Sequence, residues 1–316
     1  MKKIFKALMK KIMRIFLGEV LDHQFALNEK IENLQISIGE LHQKLNQNFP
    51  SRNFAENGYK VFSQWNEDGL IQYLISQIPE IPKSYIEFGV ENYSESNTRY
   101  LMMNQHWKGL IIDGSKQNIG YVKRQNYYWQ NSLTAVNQFI DKDNINQIFE
   151  SNGFTGQIGI LSIDIDGNDY WVLNSIHSVS PVIIILEFNN LFGKEKKVTI
   201  PYDDKFYRFN SHFSGLFYGA SLPALTDLCA KKGYDLVGTN NICNNAFFVR
   251  KDFSSRFQLR SVSEVFMDNP SRESRDKNGN LTYLSAREEQ LRLLAELSLV
   301  NLETGKEETI KDLYLS

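Results

Sequence analysis

The stretch that most limits what this chain can become is residues 84–115, SYIEFGVENYSESNTRYLMMNQHWKGLIIDGS. Tyr85 to Phe88 is a short apolar strand signal that runs into a turn at Gly89. The helical stretch that follows has Leu101, Met102 and Met103 as its apolar centre, and Leu110, Ile111 and Ile112 return as a second strand ending on Asp113. Strand, turn, helix and strand closing on an acid, in about thirty residues, is the dinucleotide-type half unit, in which that acid accepts hydrogen bonds from ribose hydroxyls. The turn departs from the G-x-G-x-x-G fingerprint, because Gly89 is the only glycine between Ile86 and Asn97. A pyrophosphate needs several glycines for close backbone approach, and Glu87 and Glu91 repel phosphate but attract a cation. An adenosine-bearing sulfonium fits these facts better than a nicotinamide dinucleotide.

The rest of the chain extends the unit. Asn66 reads as an N-cap with Glu67 and Asp68 in the first turn, opening a helix that buries Leu70, Ile71, Leu74 and Ile75. Tyr127 to Leu133 reads as a third strand with Asn131 and Ser132 near its end, and Ile145 to Asn152 as a helix. Ile158 to Ile165 is an apolar strand with Asp164 and Asp166 at its end, and Val182 to Leu186 is another, followed by Glu187. Such runs suit strands buried on both faces of a parallel sheet. Leu222 to Ala230 reads as a helix, and Tyr234 to Val237 with Ala246 to Val249 as an antiparallel edge. The expected fold is α/β: a doubly wound, mostly parallel seven-stranded sheet over residues 51–252. An arm of helix and coiled coil (1–50) precedes it, and a small C-terminal extension (253–316) with a helix at 286–299 follows.

Ligands of open α/β sheets bind outside the carboxyl ends of the strands. Glu87, Asp113, Asp164, Asp166 and Glu187 should therefore share one rim. Five carboxylates together raise one another's pKa unless a sulfonium, hydroxyl donors or a divalent metal relieve them. His212, in the loop FNSHFSGLFYGAS after the fifth strand, is a candidate general base. Tyr202, Asp203 and Tyr218 flank it and suit sugar stacking or, more blandly, loop packing.

Residues 1–17 carry six basic side chains and no acid, interleaved with apolar residues at helical spacing. A basic amphipathic helix of this kind can lie on an anionic membrane surface. Leu27, Ile31, Leu34, Ile38, Leu41 and Leu45 then step by 4, 3, 4, 3 and 4, a heptad seam over residues 27–45 that favours a parallel two-stranded homodimer. Ile36 and Gly39 fall outside its pattern. A net charge of −2 argues against a general nucleic-acid binder. Two cysteines outside any C-x-x-C spacing fit a reducing, cytoplasmic setting without structural zinc.

FSQWNEDGLI, YIEFGVENYSESNT, GLIIDGS, LSIDIDGNDYWVL and NNAFFVR resemble the FkbM-like class I methyltransferases that use S-adenosylmethionine, over roughly residues 60–250. The resemblance implies that Glu87, Gly89 and Asn97 line the methionine end of the cofactor. Asp113 would hold the ribose, with Gly114 and Ser115 beside the adenosine, Asn131 and Ser132 near the adenine, and Asp164 on the cofactor side. Asp164, Asp166 and Glu187 also resemble the acids that hold magnesium in metal-dependent O-methyltransferases. The expected activity is O-methylation of a sugar hydroxyl in a bacterial surface glycan or its precursor, placed at the cytoplasmic membrane face by the basic arm, with Asp166 and His212 as catalytic groups. The alternative is a non-catalytic methyltransferase-like scaffold, recruited to the membrane and oligomerised by its arm.

Overall fold

The computed structural model describes residues 2–49 and 51–316, with the side chains of 2–16, 19, 22 and 25 outside the described set. In chain order the elements are α1 (Lys2–Asn48), α2 (Glu67–Gln77), β1 (Ser84–Phe88), α3 (Arg99–Gln105), β2 (Lys108–Asp113), α4 (Lys116–Val122), α5 (Asn126–Gln130) and β3 (Leu133–Asn137). Next come α6 (Ile145–Ser151), β4 (Gly156–Ile163), α7 (Asp169–Ser175), β5 (Val179–Glu187), β6 (Val198–Thr199), α8 (Arg208–Ser211), α9 (Leu222–Lys231), β7 (Tyr234–Thr239) and β8 (Asn245–Arg250). The tail holds α10 (Val262–Val265), α11 (Arg287–Leu293), β9 (Ser298–Asn301), β10 (Lys306–Thr309) and α12 (Ile310–Tyr314).

Seven strands form one sheet in the order β3-β2-β1-β4-β5-β8-β7. The first five run parallel, and β8 is antiparallel to both β5 and β7. Alternate residues feed two cores, one on each face. Ile86, Phe88, Leu110, Ile112, Ile184 and Leu186 point one way. Tyr85, Ile111, Ile183 and Ile185 point the other. This is why the strand sequences are apolar throughout.

Three local expectations are corrected. Residues 126–130 are a helical turn, α5, rather than a strand. Asn131 closes that turn, its backbone N–H and its side-chain amide both donating to the Tyr127 carbonyl, and the strand begins at Leu133, two residues later. Asn66 does not cap α2 with its side chain, which accepts from the Asn241 N–H instead. The 286–299 helix ends with Leu293, because Ser298–Asn301 pairs with both β10 and β6. That small sheet joins the tail to the segment after β5 around Phe192, Val198, Ile200, Leu294, Leu299 and Ile310.

The arm lies on the domain through one face. Glu32 pairs with Arg99 at 2.7 Å, Gln35 donates to the Val61 carbonyl and Asn46 to the Asn57 carbonyl. The basic face expected over residues 1–17 rests on side chains that, through residue 16, lie outside the described residues. Among the described residues no helix is long and apolar enough to cross a membrane.

Candidate functional site

The carboxyl ends of β1, β2, β4 and β5 form one rim, and their acids divide by what they touch. Glu87, at the end of β1, is buried and fully engaged. Its Oε1 accepts from the Asn97 N–H, and its Oε2 accepts from the Thr98 N–H and from the hydroxyls of Ser96 and Thr98. Burial raises its pKa, against the lowering effect of these donors. Asn97 in turn donates through its side chain to Ser162 on β4. Glu87 and Asn97 thus build the wall of the turn rather than offering free groups to a ligand. Gly89 sits at φ +79° with its Cα against the Asp164 carbonyl. A Cβ there would lie 1.4 Å from that oxygen, so no other residue fits.

Asp113 ends β2 as expected. One carboxylate oxygen accepts from the Glu91 N–H at 2.9 Å, and the other from the Ser115 N–H at 2.7 Å and more weakly from Asn118. The oxygen that accepts from Glu91 keeps capacity for a further donor. Ser115 caps α4 with its hydroxyl. Asn131 and Ser132 are corrected: they precede β3 and lie at the opposite end of the sheet, where Asn131 faces His106 and the Ser132 carbonyl receives the Gly109 N–H. The residues after β3 on the rim are Gln138, Phe139 and Ile140, and Phe139 is exposed beside Gly114. The one-turn slip made at α5 hid them from the sequence reading.

Two cavities meet at the end of β4 and β5. The smaller, about 290 Å³, is bounded by Gly89, Asp113, Gly114, Phe139, Asp164 and Phe206. The larger, about 450 Å³, is lined by Trp65, Glu187, Asn189, Tyr218, Asn244 and Arg287 among others. Arg208 borders both. Oxygens of Asp164, Asp166 and Glu187 lie within 4.8 Å of one another. Asp164 and Glu187 are both pushed well above the usual carboxylate range, first by burial; Asp166 and Asp169 then raise Asp164, against a lowering hydrogen bond from Glu187, while Asp164 and Asp166 raise Glu187. Glu187 is only 9% exposed, and its Oε2 has no hydrogen-bond partner. Exposed Asp166, at φ +54°, is held by the Arg208 Nη1 at 2.6 Å. Arg208 also donates to the Gly215 carbonyl and stacks on the Tyr218 ring at 4.0 Å.

Arg208 is the positive group that the crowded rim requires, and the sequence reading missed it. Its only signal was an arginine set among aromatics, FYRFN, in the loop after β5. It also alters the magnesium expectation. The donors are hard oxygens of the right kind, but Asp166 is committed to a guanidinium that already fills the cationic role, so the triad does not fit a resident ion as arranged. His212 lines neither cavity. Its Nδ1 lies 2.7 Å from the Ser214 hydroxyl, its ring stacks on Phe213, and burial lowers its pKa. Asp169 holds the loop after β4, accepting from the Ile165 and Gly167 N–H groups, with its pKa raised to about 6 by burial.

The strand order, five parallel strands with β8 inserted antiparallel between β5 and β7, decides the fold. It is the doubly wound, mostly parallel seven-stranded α/β sheet expected from the sequence. No protein-family model matches the chain, and no curated protein sequence matches it. Among solved structures it is similar to the N-terminal domain of EvdMO1 with SAH bound (11% identity, TM-score 0.39, covering 66% of this chain and 94% of that one). It is also similar to an S-adenosylmethionine-dependent methyltransferase from Clostridium acetobutylicum ATCC 824 (8%, 0.34, 68% and 98%) and to the glycopeptide N-methyltransferase MtfA complexed with sinefungin (8%, 0.35, 60% and 88%). At these identities and TM-scores the likenesses say nothing of this chain's activity.

Proposed function

We propose that this chain is an S-adenosylmethionine-dependent O-methyltransferase of the FkbM-like kind. Its acceptor would be a sugar hydroxyl of a surface glycan or its lipid-linked precursor, with the basic segment 1–17 keeping the enzyme at the cytoplasmic membrane face. One observation carries the reading. Asp164 opens on the smaller cavity and Glu187 on the larger, and the two form a carboxylate pair at the wall between them.

The smaller cavity suits the cofactor. Asp113 stands where a ribose needs an acceptor, and Phe139 offers an exposed ring for an adenine. Glu91 and Asp164 supply negative charge for a sulfonium. When bound, S-adenosylmethionine supplies the electrophilic methyl group. The larger cavity offers Trp65, amide side chains and Arg287, a lining that suits the faces and hydroxyls of a sugar. Trp65 is held at its lip because its backbone N–H donates to Glu67, which is anchored in turn by the side chains of Asn240 and Asn245.

The unpartnered Oε2 of Glu187 would accept the proton of the sugar hydroxyl, and the bound cofactor would give its methyl group from sulfur to that oxygen and leave as S-adenosylhomocysteine. Asp164 keeps the Glu187 carboxylate basic by repulsion, and Arg208 pairs with the neighbouring Asp166. No step requires a metal. To test this, purified full-length protein is incubated with methyl-labelled S-adenosylmethionine and a lipid-linked glycan fraction, and the fraction is then hydrolysed. Label recovered in methylated sugars, and lost with Glu187→Gln, is expected. Label recovered only in non-sugar products overturns the glycan assignment.

A further inference from the structure

Among the described residues, the heptad seam on α1 places none of its apolar side chains in a hydrophobic cluster. Its six apolar residues are 44–63% exposed. The spacing also continues towards the N-terminus through Gln24, Val20 and Leu17, with Val20 and Leu17 about half exposed. The seam therefore spans four heptads, about 42 Å at 1.5 Å per residue. The domain sits elsewhere on the helix. Glu32, Gln35, His42 and Asn46, which touch it, lie about 60–140° round from the seam at 100° per residue.

That second face explains both departures from the heptad pattern. Ile36 packs against the cluster of Tyr59, Val61, Phe62 and Tyr100. A Cβ at residue 39 would lie 2.7 Å from a Val61 methyl, so Gly39 is what lets the helix lie this close. Neither residue weakens the seam, because neither belongs to it.

We infer that the seam is filled by α1 of a second copy, in a parallel, in-register, two-stranded coiled coil over residues 17–45. Ile31 and Ile38 occupy a positions while Leu27, Leu34 and Leu41 occupy d positions, the combination that selects two parallel strands. Gln24 falls at an a position, where its amide finds a hydrogen-bonding partner in the same residue across the two-fold axis. In this register the pairs flanking the seam are Lys30 with Gln35 and Ser37 with His42 of the other strand, so no like charges meet, and Gln35 and His42 also touch their own domain at Val61 and Tyr59. The catalytic domains hang on the outer flanks, and both copies of the basic segment emerge from the same end.

The test is light scattering on the full chain at micromolar concentration. The expected mass is twice 36.7 kDa. Leu34→Asp combined with Ile38→Asp should halve it without moving the melting temperature of the domain, since both side chains are exposed in the single chain. Leu45→Cys should give a covalent dimer on oxidation that the wild type, whose two cysteines are buried, does not give. A wild-type mass of one or three chains overturns the inference, as does a doubled mass that survives the aspartates. A doubled mass without the Leu45→Cys cross-link overturns the parallel arrangement, because an antiparallel pair sets residue 45 near residue 17.

Discussion

Glu87 and Glu187 end neighbouring parts of the same sheet, yet they do opposite things. The Glu87 carboxylate accepts four hydrogen bonds and folds the loop from Ser96 to Thr98 around itself. Glu187 has an unpartnered oxygen and two acidic neighbours. Both are buried and both pKa values are raised, so burial alone does not separate them. The donors do. An acid whose lone pairs are taken is structural, whereas an acid kept buried without partners costs stability, and such groups mark places where chemistry is done.

The comparison can be broken most sharply at Glu187. Glu187→Gln should lower methyl transfer by about 10²–10⁴-fold, the usual worth of a general base, with no fall in melting temperature. A variant that stays active removes the base from the account. Glu87→Ala should do the reverse. Leaving the Asn97 and Thr98 amides and two hydroxyls unpaired should cost about 3–5 kcal/mol in a urea titration, and a loss under about 1 kcal/mol would contradict its structural role.

A smaller effect is expected at Asp113, where Asp113→Ala should weaken S-adenosylhomocysteine binding by about 10–100-fold, the worth of charge-assisted hydrogen bonds. The pH dependence sharpens the comparison further. Because the Asp164 and Glu187 pair is shifted upward, it holds a proton above the ordinary carboxylate range, and its basic form grows as pH rises. The rate should climb through that window. Stability should fall across the same window, since the folded state binds a proton there that the unfolded chain has released. Glu187→Gln should flatten both profiles. The smallest effect is expected from EDTA, which should leave the rate unchanged because Arg208 already neutralises Asp166.

The sheet was legible because its signals are local. Apolar runs, a glycine turn and acids at strand ends fixed β1, β2, β4 and β5 and put Asp113, Asp164 and Glu187 on one rim. What sequence could not show was which donors reach which acid. The four bonds to Glu87 come from residues nine to eleven positions away, and the ion pair of Asp166 with Arg208 spans 42. The adenine-side residues were misplaced because Tyr127 to Gln130, aromatic and apolar enough for a strand, closes instead as a turn of helix. The arm shows the same limit. Its seam was readable, but the reason for Gly39 lies in the Val61 and Tyr100 side chains of another element.

The most direct measurement is a calorimetric titration of S-adenosylhomocysteine into the full-length protein. The account predicts one-to-one binding in the micromolar range, retained in Glu187→Gln and weakened in Asp113→Ala. The absence of binding at millimolar ligand would contradict the proposed function and leave the α/β domain as a scaffold carried by its arm.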